Sequence, residues 1–361
     1  MNHQQPKKMQ TSTEMVLIVN PNSCGGATGK NWGNFYNQIK EIVGENPEVV
    51  FSQRPGDGTT LTRDFLRRGF KEVVGFGGDG TLNEVANGFF EEITLGNNNN
   101  PANYNTTTQT SSLPILKSIN PEAIMGLIPA GSRNVLAKSL DLSVDGIIES
   151  CQSFVKAKPR KIDVIAAIIT RVPEAEAEAL SKETSTDPKI ASRIFLNAAE
   201  IGVGAEIIDR SKTVRDKIKS RFISTISSVI ATLPTYESNL CEVSVDDGNR
   251  SLLSKITMGV VANGKYLGGG FIAAPQARIS DGLLDLTILK NSGSFKMLDE
   301  FMGMRGNTGH TQEDNDIFYT QAKKVSIRSK ERDISVTLDG EPIGILPATF
   351  QVYHDALTIK V

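Results

Sequence analysis

The stretch Val73-Val74-Gly75-Phe76-Gly77-Gly78-Asp79-Gly80-Thr81-Leu82-Asn83-Glu84-Val85 constrains the fold more than any other part of this chain. A short apolar run breaks on glycines around one aspartate, and a helical pattern follows. Leu82, Val85, Ala86, Phe89 and Ile93 recur at helical spacing, which predicts a helix with one buried face. The order is therefore strand, tight turn, helix N-terminus. Such a terminus leaves backbone N–H groups unpaired and carries partial positive charge, so it suits phosphate. Gly77, Gly78 and Gly80 let an anion approach the backbone, because no Cβ stands in the way. Thr81 adds a hydroxyl donor, and Asp79 can hold a metal ion through water or tune a reacting group. A Gly-Gly-Asp-Gly cluster taken alone is equally an ordinary tight turn. The polar residues at the helix start weigh against that, since packing gives little reason for them.

Two further turns share this design. Met15-Val16-Leu17-Ile18-Val19 reads as a buried strand ending in Asn20-Pro21-Asn22-Ser23-Cys24-Gly25-Gly26. Ile124 to Pro129 is another, turning through Ala130-Gly131-Ser132-Arg133 into a short helix from Asn134 to Leu140. Between them, helices are expected from about Lys30 to Val43 and from Thr60 to Arg68, with a strand near Val49 to Ser52. Three strand–turn–helix units predict a doubly wound, three-layer α/β domain. Ligands of such sheets bind beyond the carboxyl ends of the strands, where the three turns gather.

From about Lys161 the pattern changes. Ile162 to Ile169, Arg193 to Ala198, Cys241 to Val245, Lys255 to Val261 and Leu284 to Leu289 read as strands, many without helices between them. A mostly antiparallel β-sandwich second domain is expected. One helical stretch, Val214 to Leu233, carries an apolar stripe and a basic first half with Lys217 and Lys219. It reads either as core with a solvated face or as a lip on anionic lipid, where each basic residue contributes about 1 kcal/mol. Near the end, Leu338-Asp339-Gly340-Glu341 is a hairpin turn whose two carboxylates can also supply a general base.

Composition narrows the function. The 361 residues suffice for two domains, and a net charge of −2 argues against general nucleic-acid binding. Three cysteines and three histidines, in no metal-ligand spacing, point to a reduced compartment and no histidine-based metal centre. The apolar run from Ile162 to Thr170 is too short to cross a membrane. The expected organisation is a polar tail (1–13), a phosphate-binding α/β domain (14–158) and a mostly antiparallel second domain (159–344), with 345–361 packing back on the first. Low-complexity insertions are expected over 96–113 and 173–192.

Taken in order, these motifs resemble the bacterial-type diacylglycerol kinases and related lipid kinases, the superfamily that includes sphingosine kinases. The resemblance is carried by Asn20-Pro21-Asn22-Ser23, Gly77 to Val85, Pro129 to Ser132, Asn197-Ala198-Ala199-Glu200-Ile201-Gly202, Ala274 to Asp285 and Leu338 to Glu341. It implies a two-domain kinase using ATP and Mg²⁺, cytoplasmic and peripherally bound to the membrane that holds its lipid substrate. A homodimer is compatible with it; the sequence leaves oligomeric state open. By resemblance, ATP contacts fall on Asn20, Pro21, Asn22, Ser23, Ser52, Gly77, Gly78, Asp79, Gly80, Thr81, Leu82, Asn83, Glu84 and Ser132. Glu341 is the implied proton acceptor, with Asp339 as rival or partner, and a magnesium site maps onto Asp281 with the carbonyls of Arg278 and Leu283. Many relatives have Gly-Thr-Gly-Asn-Asp where this chain has Gly131-Ser132-Arg133-Asn134-Val135, so a carboxylate is replaced by Val135. Two other readings remain: phosphorylation of a soluble substrate as by NAD kinases, and a regulator that binds nucleotide or lipid without turnover.

Overall fold

The computed structural model describes residues 14–43, 47–91, 94–95, 114–142, 146–171, 191–206, 236–267, 271–290 and 316–361. The first half alternates strands and helices: β1 (Met15–Val19), α1 (Ala27–Lys30), α2 (Trp32–Val43), β2 (Glu48–Phe51), α3 (Asp57–Arg67), β3 (Glu72–Gly77) and α4 (Asp79–Gly88). A small hairpin of β4 (Thr94–Leu95) and β5 (Pro114–Ile115) precedes β6 (Ile124–Pro129), α5 (Val135–Ser139) and α6 (Ile147–Lys156). The second half is nearly all strand. It holds β7 (Arg160–Arg171), β8 (Ala191–Phe195), β9 (Ala198–Gly202), β10 (Asn239–Val245), β11 (Arg250–Ala262) and β12 (Leu284–Lys290). The chain ends with β13 (Ile317–Ala322), β14 (Lys324–Ser329), β15 (Ser335–Leu338) and β16 (Glu341–Lys360).

The α/β layer is a parallel sheet in the order β2-β1-β3-β6. Strands β1, β3 and β6 are buried on both faces, which is why β1 reads as an unbroken apolar run and not as an alternation. On one face Leu17, Val19, Phe76 and Ile128 pack with Ile39 of α2 and with Cys151 and Phe154 of α6. On the other, Val16, Ile18, Val73 and Met125 meet Phe65 and Leu66 of α3 and Leu82 and Val85 of α4. Each such side chain contributes roughly 1.5–3 kcal/mol through burial. The sheet is held between two helical layers, so the strand ends are left for the turns.

The second half forms antiparallel ladders around Ile165, Phe195, Val243, Leu286 and Phe350. Strand β16 belongs to both halves. It runs antiparallel to β7, β14 and β15, and its last residues join the parallel sheet, with Ile359 opposite Met125 and Lys360 opposite Gly126. The α/β arrangement with a C-terminal antiparallel sheet agrees with the expected fold class.

Several local expectations need correction or fall outside the description. Helix α4 ends at Gly88, capped by Phe89, short of the Ile93 expected from periodicity. The continuous strand expected from Arg193 to Ala198 is two strands: β8 pairs with β7, and β9 pairs with β11 and β15. The break falls at Leu196-Asn197, whose N–H groups donate to the Asp339 carboxylate in place of a neighbouring strand. Helix α6 was not expected, and the tract expected over 173–192 gives way at Ala191 to β8. The stretch 96–113 and the basic helix with Lys217 and Lys219 lie outside the described residues.

Candidate active site

The three turns meet at the carboxyl ends of β1, β3 and β6, and they are tied to one another. Asn20 Nδ2 donates to Thr81 Oγ1 at 2.9 Å, joining the first turn to the second. The same Asn20 accepts from Asn22 N at 2.9 Å, and Ser23 Oγ donates to the Asn20 carbonyl at 2.9 Å. The second and third turns are joined where Leu136 N donates to Asp79 Oδ1 at 3.1 Å. Gly131 is the point of closest approach: a Cβ there would stand 2.5 Å from Gly78 Cα and 2.7 Å from Asn134 Oδ1. Asn134 holds the third turn by accepting from Gly131 N at 2.9 Å, and its φ of 48° is one that Asn tolerates better than most residues.

The second half closes the site with the Asp339-Gly340 turn between β15 and β16. Both residues have positive φ (47° and 81°), as a two-residue hairpin requires. The turns enclose a groove of about 310 Å³, lined by Asn20 to Cys24 except Pro21, by Gly78 to Thr81, by Gly131 to Arg133 and by Asp339 to Glu341. Behind it is a much smaller and more enclosed chamber of about 40 Å³, and Asp79, Arg133, Asp339 and Gly340 line both spaces. Most sequence-expected residues of the phosphate turns are thus brought together with Glu341.

Several are not. Leu82 is fully buried in the core. Asn83 spans the two halves, donating to Asp339 Oδ2 at 2.7 Å and to the Ile194 carbonyl at 3.3 Å. Glu84 clamps the start of α3, accepting from Gly56 N and Gly58 N at 2.9 Å each. Burial raises the Glu84 pKa against those two hydrogen bonds. Gly77 carries the Thr81 side chain over the place of its missing Cβ, and Pro21 packs on Gly29. Ser52 is buried beside the Val19 carbonyl, off the groove.

The two carboxylates of the Asp-Gly-Glu turn occupy different surroundings. Asp339 is half-buried and accepts four hydrogen bonds: from Leu196 N at 3.0 Å, Asn197 N at 2.9 Å, Ala198 N at 3.0 Å and Asn83 Nδ2 at 2.7 Å. Burial pushes its pKa up, and those donors pull against the shift. Glu341 is part-exposed on the groove, its Oε2 2.9 Å from Arg193 Nη1 and its Oε1 facing Gly80. Asp79 is also raised by burial, opposed by the N–H groups of Leu136 and Val135 and by the charge of Arg133.

Sequence reading missed Arg193, which is the partner of Glu341, and gave no role to Glu200, a buried carboxyl on the chamber wall. A charge inside an apolar strand pattern was the only local signal in each case. The loop with Arg278, Asp281 and Leu283 lies off the groove. Asp281 Oδ1 accepts from Leu283 N at 3.1 Å, and Gly282 N donates to Asp163 Oδ2 at 2.7 Å. Asp163, His354 and Asp355 bring ligand atoms within 4.8 Å of one another, yet the buried Asp163 already takes Gly282 N, Asp355 N and His354 Nδ1.

Comparison with known proteins agrees with this geometry. The diacylglycerol kinase catalytic domain family matches residues 14–167, and the YegS C-terminal NAD kinase beta sandwich-like domain matches residues 198–361. The first half of the chain is a diacylglycerol kinase catalytic domain. It is 24% identical over 341 residues to a diacylglycerol kinase of Bacillus subtilis, spanning 92% of this chain and 91% of the relative. A diacylglycerol kinase of Staphylococcus carnosus is 23% identical over 311 residues, spanning 86% and 83% of the two. A crystal structure of a diacylglycerol kinase from Bacillus anthracis superposes with a TM-score of 0.61 at 20% identity, covering 96% of each chain, and shares the fold. The protein is accordingly a phosphotransferase with an alcohol group as acceptor. Among the described residues no helix is long and apolar enough to cross a membrane.

Proposed function

We propose that the protein transfers the γ-phosphate of Mg-ATP to a hydroxyl of a diacylglycerol-like or other long-chain lipid at a membrane surface. The observation that carries this reading is the convergence of three phosphate-suited turns and Glu341 on one groove. Phosphoryl transfer asks little covalent chemistry of a protein; it asks for held phosphates, neutralised charge and an oriented nucleophile. Backbone N–H groups at the start of α4, with Asn22, Ser23, Thr81 and Ser132, hold the phosphates in this proposal. Glu341 accepts the proton of the lipid hydroxyl, and Asp339 positions the turn that carries it.

Mg²⁺ fits the groove by the kind of donor available there: Asp79, Thr81 and Ser132 all present oxygen. Bound with ATP, the ion would neutralise charge on the phosphates. A second cation locus at Asp281, with the Arg278 and Leu283 carbonyls, remains part of the proposal on resemblance alone. Localisation in the cytoplasm, with peripheral attachment to the membrane that holds the lipid, goes with the same reading.

The experiment is transfer of label from γ-labelled Mg-ATP into a total lipid extract, with product mass identifying the acceptor. A labelled lipid is expected. Label in a soluble acceptor, or ATP binding without transfer, would replace the reading with one of its two rivals. Gly131→Ala gives a second check. Its methyl group would push backbone against backbone between the second and third turns, costing roughly 1–3 kcal/mol. The KM for ATP is expected to rise about tenfold, equivalent to ~1.4 kcal/mol. An unchanged KM would show that nucleotide does not depend on the approach of these turns.

A further inference from the structure

The chamber behind the groove has a polar group with no assigned task. On β9, Ala199 and Ile201 point into the main sandwich core, while Ala198 joins a separate apolar cluster with Met258, Val260 and Leu267. Alternation along a strand puts Glu200 on that second face, among apolar neighbours. Glu200 is only 8% exposed, and no hydrogen bond from a described residue reaches its carboxyl group. Its Oε2 lies 3.0 Å from where a Cβ of Gly204 would stand, so the absent side chain there leaves the carboxyl its room.

Burying a carboxyl among apolar side chains is costly, and Glu200 lines the chamber, where a bound group can meet it. Burial raises the Glu200 pKa to about 7, with the charge of Arg133 lowering it and that of Asp339 raising it. Near neutrality this group both accepts and donates hydrogen bonds, which complements an alcohol or an amine better than an ester or an alkyl chain.

Position gives the second half of the argument. Val135, Leu136, Ala198 and Leu267 form apolar walls of the chamber, and Asp79, Asp339 and Gly340 are shared with the groove. An acceptor whose reacting hydroxyl lies beside Glu341 therefore places the adjoining carbons of its head in the chamber. We propose that Glu200 is a specificity-determining residue, binding a second hydrogen-bond donor, hydroxyl or amine, next to the hydroxyl that is phosphorylated. The proposal rests on the lipid-kinase reading and narrows its acceptor class. The favoured acceptors are long-chain lipids with a diol or amino-alcohol head, such as a monoacylglycerol or a sphingoid base. A site built around a substrate donor rejects the analogue that lacks it, because its own buried group is then left unpaired.

The test uses the full chain and three acceptors in mixed micelles: 1-monoacylglycerol, a long-chain amino alcohol, and 1,2-diacylglycerol, which has no second donor. The wild type is expected to show at least about a tenfold higher kcat/KM for the first two, a difference of roughly 1.4 kcal/mol. Glu200→Leu, similar in size and apolar, is expected to abolish that ratio while leaving diacylglycerol turnover within about threefold. Glu200→Gln, which still pairs with a hydroxyl but carries no charge, is expected to keep the monoacylglycerol preference and lose that for the amine. Thermal melting of each variant separates a folding defect from a change in selectivity. An unchanged acceptor ratio in Glu200→Leu overturns the inference, as does an equal loss on all three acceptors. Equilibrium binding of the same lipids decides the matter independently of turnover. Selective binding lost in Glu200→Leu, with no phosphorylation by the wild type, would retain the site and remove the kinase reading.

Discussion

Glu341→Gln is expected to lower kcat by roughly 10²–10⁴, the usual contribution of a positioned general base, while the KM for ATP stays within about twofold. The substitution preserves the volume of the side chain and one oxygen that can accept from Arg193, which now sits 2.9 Å from Glu341 Oε2. What it removes is the capacity to take a proton. The neighbouring geometry says why the effect should fall on turnover and not on nucleotide binding. Glu341 begins β16, in the half of the chain that does not carry the phosphate turns, and its Oε1 faces Gly80. The measurement is kcat at saturating ATP and lipid, with ATP KM determined in the same series. A kcat within threefold of wild type would show that the hydroxyl loses its proton elsewhere, and Glu200 would be the next carboxyl to examine.

The phosphate turns were legible in the sequence because their signals are local. Gly77-Gly78-Asp79-Gly80 announces its turn through glycine, and the helix that follows is marked by Leu82, Val85 and Ala86 within a few residues. Helix α6 has an equally local signal, since Ile147, Cys151 and Phe154 fall at i, i+4 and i+7 and pack on the sheet. Other features have no local signal. The break at Leu196-Asn197 looks like continuous strand until Asp339 draws both N–H groups away from the ladder, across more than a hundred residues of chain. Arg193 and Glu341 form their pair over a similar distance. The resemblance brought Asp339 and Glu341 forward as a couple, since they are two residues apart. Only the three-dimensional surroundings separate the carboxylate held by four donors from the one paired with Arg193.

That separation yields the prediction with the largest effect on stability. Asp339→Asn is expected to destabilise the fold by about 1–3 kcal/mol and Asp339→Ala by roughly 3–5 kcal/mol, because buried donors left unpaired cost about 1–3 kcal/mol each and such losses do not add fully. Four donors converge on this carboxylate: Leu196 N, Asn197 N and Ala198 N from the crossover between β8 and β9, and Asn83 Nδ2 from α4. The asparagine keeps the shape but turns an NH₂ group toward donors. The alanine leaves all four unmet and is strained as well, since Asp339 has a φ of 47°, a region Asn visits far more readily than Ala. Comparing the two therefore separates the hydrogen-bond loss from the backbone term. For a chain of this size the alanine variant should melt on the order of 10 °C lower, whereas Glu341→Gln should leave the melting temperature nearly unchanged. Urea midpoints for the three variants give the same ordering by a second route. An Asp339→Asn protein with wild-type stability and a kcat as low as that of Glu341→Gln would reverse the assignment. The crossover would then not depend on this carboxylate, and Asp339 would be the group that takes the proton.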